Sequence, residues 1–177
     1  MTMPIDMLIT DFVVNNVRTP WLTPLMESLS NIATAPTLIV MLLVLAAFVP
    51  GRHPGWFCTF NIAGSALLNQ VLKAIVQRPR PDVALRLVHA GGYSFPSGHS
   101  MAAMAFFGLL IWLVWRTVED KRIRVLICSA LAVLIALIGF SRIYLAVHYF
   151  TDVIAGFAIS FIWLVLYTKF AAPKLLD

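Results

Sequence analysis

Three short segments of the chain carry ionisable residues whose types and spacing could do chemistry. They are Lys73 with Arg78-Pro79-Arg80-Pro81, then Pro96-Ser97-Gly98-His99, and then Ser141-Arg142 with His148 and Asp152. Each segment adjoins a long apolar run, where an ionisable side chain is costly unless it has a partner or a task. Their combined charge and spacing indicate a site that processes an anion.

The cations of these segments suit a phosphate group. The two prolines of the first segment end a helix, so Lys73 would point from its last turns and Arg80 from the loop that follows. Arginine can bind two phosphate oxygens as a fork, and Arg142 would supply a third cation. Ser97 and Gly98 would open a helix, and the free N–H groups of a helix N-terminus bind anions.

The two histidines suit nucleophilic chemistry. His148 and Asp152 are four residues apart, which places both on one face of a helix. A carboxylate that bonds one ring nitrogen fixes the tautomer and makes the other nitrogen the better nucleophile. His99 comes from a different segment and could protonate the departing oxygen. We therefore expect His148 as nucleophile, Asp152 as its partner and His99 as acid.

A metal site is the alternative chemistry for the same residues. Two histidines and one aspartate could bind zinc, but three cations around them would oppose a divalent ion, so we expect neither a metal nor a cofactor. Cys58 and Cys128 lie far apart inside apolar segments. We interpret both cysteines as small core residues.

The three segments closely resemble the motifs of the type-2 phosphatidic acid phosphatase family. The family pattern is Lys, six residues, Arg-Pro; then Pro-Ser-Gly-His; then Ser-Arg, five residues, His, three residues, Asp. This chain matches every position of that pattern, and the motifs span residues 73–152. The resemblance implies a phosphohistidine at His148, oriented by Asp152, with His99 protonating the leaving group and then helping to activate water. It implies that the phosphate oxygens are held by Lys73, Arg80, Ser97, Gly98 and Arg142.

Composition defines the elements that must position these residues. The 177-residue chain is 60% hydrophobic and 12% charged, with a mean hydropathy of +0.89, whereas a soluble domain carries about a quarter charged residues. This predicts an all-α, polytopic transmembrane helical bundle that forms a single domain over residues 1–177. The net charge of +5 does not indicate a nucleic-acid partner, because the basic residues are dispersed among short loops.

Apolar runs predict about six spans, with five as the alternative. Residues 21–49 would form two short spans broken near Pro36, or one long span. The other predicted spans are 56–76, 98–116, 125–140 and 153–170. Residues 4–17 have apolar side chains at helical spacing, with Asp6, Thr10 and Asn16 on the other side. They predict an amphipathic helix at the membrane interface, or alternatively an extension of the bundle.

The loops predict an orientation in the cell membrane. Basic residues gather in one set of loops, which the positive-inside rule places in the cytoplasm: Arg52, Arg116, Lys121, Arg122, Arg124, Lys169 and Lys174. The segments 77–97 and 141–152 then lie together on the extracytoplasmic face. The loop 82–95, with Arg86, His89 and Gly91-Gly92-Tyr93, would line the entrance and select the substrate, unless it is an ordinary solvated loop.

The favoured function is therefore that of a membrane lipid phosphatase whose substrate enters from the bilayer. Undecaprenyl pyrophosphate, phosphatidylglycerophosphate and phosphatidic acid are the candidate substrates. A lipid or anion transporter using the same cations is the alternative, although transport needs neither histidine. A vanadate-dependent haloperoxidase would share the pocket, but the apolar composition of the chain opposes that soluble class.

Overall fold

The computed structural model describes residues 3–48 and 54–171, and these ranges contain α-helices and no β-strand. The all-α prediction is confirmed. The helices are α1 (Pro4–Phe12), α2 (Leu22–Ile32), α3 (Ala35–Phe48), α4 (Pro54–Val76), α5 (Gly98–Thr117), α6 (Lys121–Tyr144) and α7 (Phe150–Phe170). A π-helical turn, Val13–Val17, extends α1.

The prediction of six spans is not confirmed. Among the described residues, α5, α6 and α7 are long and apolar enough to cross a membrane, and α2 with α3 adds a fourth span if that bent pair is one crossing. These two helices have 11 and 14 residues, so they are roughly 16 and 21 Å long, against a hydrocarbon core of about 30 Å. The axes bend by 56° at the break between them, which makes the pair a broken span or a re-entrant loop.

Helix α4 has the length of a span but carries a polar stripe. Its polar residues recur every four positions along one face: Asn61, Ser65, Asn69 and Lys73. The first three are buried, and the Asn61 side chain donates a hydrogen bond of 2.7 Å to the carbonyl oxygen of Ala105 in α5. These partners explain how polar side chains are tolerated within the bundle.

Helix α1 directs its polar side inward. Asp6 and Thr10 are buried, whereas Met7, Leu8 and Phe12 are 50%, 67% and 59% exposed. The predicted amphipathic helix is confirmed, and its exposed apolar side is suited to lipid. Its depth relative to the membrane interface stays a prediction.

The antiparallel helices α4 to α7 bring four helix ends together. The end of α4, the start of α5, the end of α6 and the start of α7 form what we call the site end. Here the Ser97 amide donates a hydrogen bond of 3.1 Å to the carbonyl oxygen of Asp152. A Cβ atom on Gly156 would lie only 3.0 Å from the carbonyl oxygen of Ser97. Glycine at this position therefore allows α7 to approach the start of α5.

Candidate active site

Short turns at the site end determine where the predicted residues lie. Gln77 ends α4 with a φ of 50°, a left-handed conformation typical of helix C-termini. Helix α6 runs to Tyr144 and α7 begins at Phe150, so the polar segment predicted at 141–152 is mostly helical. Arg142 is part of α6. The prediction that His148 and Asp152 share a helix is wrong, because His148 precedes the first residue of α7.

His148 and Asp152 nevertheless meet. The Nδ1 atom of His148 lies 3.7 Å from Oδ2 of Asp152, and both side chains are buried. The turn before α7 therefore brings His148 and Asp152 together, as the prediction of a shared helix expects. The other ring nitrogen, Nε2, lies 3.1 Å from Nη1 of Arg80.

Asp152 is held by donors on both of its oxygens. Oδ2 accepts a hydrogen bond of 2.5 Å from the hydroxyl of Ser94 and one of 2.9 Å from the amide of Tyr149. Oδ1 accepts a bond of 2.5 Å from Arg78. The Ser94 hydroxyl also lies 3.4 Å from Nδ1 of His148. The carboxylate and the imidazole are thus fixed relative to each other.

The protonation of His148 follows from its surroundings. Burial lowers the pKa of His148 to about 3, against an ordinary 6.5; the Asp152 carboxylate opposes this shift, while Arg80 and Arg142 add to it. The imidazole of the free protein is therefore neutral near pH 7. A neutral ring nitrogen is the form that can attack phosphorus.

Arg80 and Lys73 connect the pocket to the loop 82–95. The Nε of Arg80 donates hydrogen bonds of 3.1 Å to the carbonyl oxygens of Gly91 and Gly92. Nζ of Lys73 donates a bond of 2.6 Å to the carbonyl oxygen of Tyr93. The predicted entrance loop is therefore attached to two of the predicted phosphate ligands. Its role in selecting the substrate stays a prediction.

Arg142 and His99 complete the cluster. The side chains of Arg142, His148, Arg80 and Lys73 are the electrostatic neighbours of His99. Nη1 of Arg142 donates a hydrogen bond to the hydroxyl of Ser30, whereas its buried Nε has no partner among the described residues. That N–H group would gain a partner from a phosphate oxygen.

Ser97 and Gly98 begin α5 as predicted. Ser97 is the N-cap, and its hydroxyl accepts hydrogen bonds from the amide and the hydroxyl of Ser100. The side chain of Ser97 is buried and occupied by its own helix. A Cβ atom on Gly98 would lie 3.3 Å from Oδ1 of Asn69. Contact between phosphate and this helix start stays a prediction, and it would involve backbone N–H groups.

Three residues of the site were not given a role from sequence. Ser94 and Arg78 both donate to Asp152, and Asp6 of α1 pairs with Arg78 at 2.6 Å. The sequence did hold a signal for Asp6, because a carboxylate within an apolar helix requires a partner. Sequence alone did not identify Arg78 as that partner.

The described residues contain no group of three or more His, Cys, Asp or Glu side chains arranged to hold a metal ion. Cys58 and Cys128 are buried free thiols, which agrees with their interpretation as core residues. Arg78 is paired with Asp6 and Asp152, so the positive charge left for an anion comes from Lys73, Arg80 and Arg142.

Comparison with known proteins identifies the family. The family model described as the PAP2 superfamily matches residues 54–175. The chain belongs to the PAP2 superfamily. It is 32% identical over 151 residues to phosphatidylglycerophosphatase B of Bacillus subtilis, covering 81% of this chain and 72% of that protein. It is 33% identical to the lipid A 1-phosphatase of Rhizobium johnstonii, covering 59% of this chain and 42% of that one.

A solved structure agrees with these relatives. The crystal structure of a transmembrane PAP2 type phosphatidylglycerolphosphate phosphatase from Bacillus subtilis matches with a TM-score of 0.86 and 30% identity, covering 95% of this chain and 85% of that one. This chain is thus an integral membrane lipid phosphatase. The prediction of a hydrolase that acts on a phosphorylated lipid is confirmed.

Proposed function

We propose that this lipid phosphatase works through a phosphohistidine at His148. The observation that carries the proposal is the placement of the two ring nitrogens. Nδ1 faces the Asp152 carboxylate at 3.7 Å, and Nε2 faces the Arg80 guanidinium at 3.1 Å. A phosphate bound by Arg80 would lie in front of Nε2, where the lone pair of a neutral imidazole is available.

The reaction would proceed in two displacements. In the first, Nε2 of His148 forms a bond to phosphorus, the bond from phosphorus to the leaving oxygen breaks, and protonated His99 gives that oxygen its proton. In the second, His99 takes a proton from water, the water oxygen attacks phosphorus, and the bond to Nε2 breaks. The products are the dephosphorylated lipid (or its monophosphate from a diphosphate) and inorganic phosphate.

The cations would stabilise charge on the phosphoryl oxygens in both displacements. Arg80 would exchange one of its carbonyl partners for a phosphate oxygen, and Arg142 would use its unpartnered Nε. Lys73, already near Arg80 and Arg142, would add a third charge. Preorganised donors of this kind contribute most of the catalysis in phosphoryl transfer.

The candidate lipid substrates come from the relatives of this chain. The names of the relatives describe phosphatases of phosphatidylglycerophosphate, lipid A 1-phosphate and dolichyl diphosphate. We propose a phosphate monoester or diphosphate of a lipid, with phosphatidylglycerophosphate the first to test because that relative shares the longest aligned region of the three. Undecaprenyl pyrophosphate and phosphatidic acid remain candidates.

A lipid panel tests the activity and the nucleophile together. Phosphate release from these lipids is measured in detergent micelles for the wild type, for His148→Ala and for Arg122→Ala as a control. Arg122 is exposed at the end opposite the site. We expect release by the wild type and by Arg122→Ala and none by His148→Ala. Equal rates in all three proteins would refute the proposal.

We also propose that the site end faces the extracytoplasmic side of the cell membrane. The opposite end carries Arg116, Lys121, Arg122, Arg124 and Lys169, as the positive-inside rule requires of a cytoplasmic end. Arg52 and Lys174 of the same predicted set lie outside the described residues. At the site end the basic side chains are instead engaged with carboxylates, carbonyl oxygens and the phosphate pocket.

Thiol labelling of intact cells tests this orientation. Val83 of the loop 82–95 is 71% exposed, Glu119 is exposed at the opposite end, and both native cysteines are buried. A membrane-impermeant maleimide should label Val83→Cys in intact cells and Glu119→Cys only after lysis. The reverse pattern would place the site in the cytoplasm.

A further inference from the structure

A buried chain of charges connects α1 to the nucleophile. The guanidinium of Arg78 bonds Asp152 with Nη1 at 2.5 Å and Asp6 with Nη2 at 2.6 Å. The side chains of Arg78, Asp6 and Asp152 are only 7%, 0% and 0% exposed. The mechanism above uses Asp152 and leaves the other two residues without a function.

Asp6 is bound more extensively than an anchor for one helix requires. Its carboxylate also accepts hydrogen bonds from the amide of Thr151 at 3.0 Å, from the hydroxyl of Thr151 at 2.9 Å and from the amide of Met3 at 3.2 Å. The Arg78 guanidinium lies 4.4 Å above the ring of Tyr149. Both side chains are therefore fixed beside the first turn of α7, on the side of Asp152 away from His148.

Both groups are charged in the folded protein. Burial alone would raise the pKa of Asp6, but the bonds from Thr151 and Arg78 hold it below its ordinary value. Burial likewise opposes the charge of Arg78, and the two carboxylates raise its pKa. Two negative charges and one positive charge leave the cluster of Asp6, Arg78 and Asp152 with a net charge of −1.

That net charge matters when the nucleophile reacts. Bonding of Nε2 to phosphorus makes the His148 ring cationic while Nδ1 keeps its proton, and the −1 cluster compensates that new charge. The other charged or titratable groups that act on the ring are Arg80, Arg142 and His99, with Lys73 beside His99, and all of them are cationic or neutral. Without Asp6, Arg78 and Asp152 would form a neutral pair and no net negative charge would remain.

We propose that Asp6 is a positioning residue that neutralises Arg78, so that the cluster of Asp6, Arg78 and Asp152 keeps a net charge of −1 beside the His148 cation. Helix α1, with its apolar side outward and Asp6 inward, then contributes to catalysis through Asp6. This inference rests on the proposed role of His148 as nucleophile. Neither Asp6 nor Arg78 needs to touch the substrate.

Removing and restoring the net charge provides the test. Asp6→Asn makes the cluster neutral, and Asp6→Asn with Arg78→Gln returns it to −1, with the Asp152 carboxylate still accepting hydrogen bonds from Ser94 and the Tyr149 amide. Asp11→Asn is the matched control, because Asp11 is an exposed aspartate on the same helix. We measure kcat, KM and the rate of ³²P incorporation into the enzyme, with melting temperature in detergent as the check on folding.

For Asp6→Asn we expect kcat and phosphoenzyme formation to fall by about 10- to 100-fold, the loss typical of partners that orient a metal-bound histidine, with KM little changed. The double variant should recover much of that loss, although it removes more native hydrogen bonds. Asp11→Asn should stay within about twofold of wild type. Asp6→Glu keeps the charge, so its kcat should be higher than that of Asp6→Asn. It serves as a second variant if Asp6→Asn folds poorly.

Two results would overturn the inference. One is a kcat for Asp6→Asn equal to that of Asp11→Asn. The other is a double variant no faster than Asp6→Asn, as expected if Asp6 and Arg78 only hold α1 in place. Failure of the proposed function looks different, since His148→Ala would then release phosphate or the wild type would form no phosphoenzyme.

Discussion

Asp152→Asn isolates the electrostatic contribution of the carboxylate, because the substitution preserves shape and removes charge. Each carboxylate oxygen accepts hydrogen bonds: Oδ1 from Arg78, and Oδ2 from Ser94 and the amide of Tyr149. An amide group would therefore direct its NH2 at a donor in either orientation. We expect a lower kcat together with a modest loss of stability.

The distance from Asp152 to His148 gives the size of the effect. At 3.7 Å and an effective dielectric constant of about 20, a carboxylate stabilises an imidazolium by about 4.5 kcal/mol. Phosphorylation of Nε2 creates that imidazolium charge. The Asp152→Asn variant therefore loses this stabilisation mainly in the transition state. The corresponding decrease in kcat is about 2,000-fold.

The assay is single-turnover phosphate release from a saturating lipid substrate, which separates chemistry from product release. The melting temperature of the variant in detergent confirms that the protein is folded, and Asp11→Asn serves as the control for loss of an aspartate. A folded Asp152→Asn variant within about tenfold of the wild-type rate would refute the reasoning, since a tenfold change corresponds to only about 1.4 kcal/mol.

Three further predictions concern the metal, the cations and pH. Phosphate release should be unchanged in EDTA, because the proposed reaction uses protein cations; loss that a divalent ion restores would contradict it. Arg80→Lys loses the guanidinium whose Nη1 faces Nε2 of His148, so its kcat/KM should fall about 100-fold, with Arg122→Lys, exposed at the opposite end, as the control. In the unfolded chain the histidines become protonated below pH 6.5, whereas His148 of the folded protein stays neutral down to about pH 3. The contribution of His148 to the stability of the fold therefore decreases as the pH falls through that window. The decrease is at most about 1.4 kcal/mol per pH unit. The melting temperature of His148→Gln should therefore vary less between pH 6.5 and 4 than that of the wild type, and equal slopes would argue against a neutral buried His148.

The pairing of His148 with Asp152 was predictable from sequence because four-residue spacing brings two side chains close in several local geometries. A helix was expected, and the structure instead uses a turn that ends at the N-cap Tyr149, with Ala146 at a φ of 49°. The starting residue of α5 was also predictable, since Ser97 before Gly98 is an N-cap sequence. Local signals sufficed for both features.

The roles of Asp6, Arg78 and Ser94 were not predictable in the same way. Asp6 and Arg78 are 72 residues apart, and Ser94 and Asp152 are 58 apart, so only the tertiary fold brings them together. The predicted number of spans is not confirmed, for a different reason. Hydropathy counts apolar residues, but it does not distinguish a lipid-facing span from α4, whose buried Asn61, Ser65 and Asn69 face neighbouring helices.

Trapping the covalent intermediate tests the central claim most directly. The wild-type protein is mixed with a ³²P-labelled lipid phosphate, quenched in alkali within one turnover, and digested for mass spectrometry. A nucleophilic His148 predicts label that survives alkali, is lost in acid, and maps to the peptide containing His148, with none in His148→Ala. Label on another residue, or lipid hydrolysis by His148→Ala at the wild-type rate, would contradict the account.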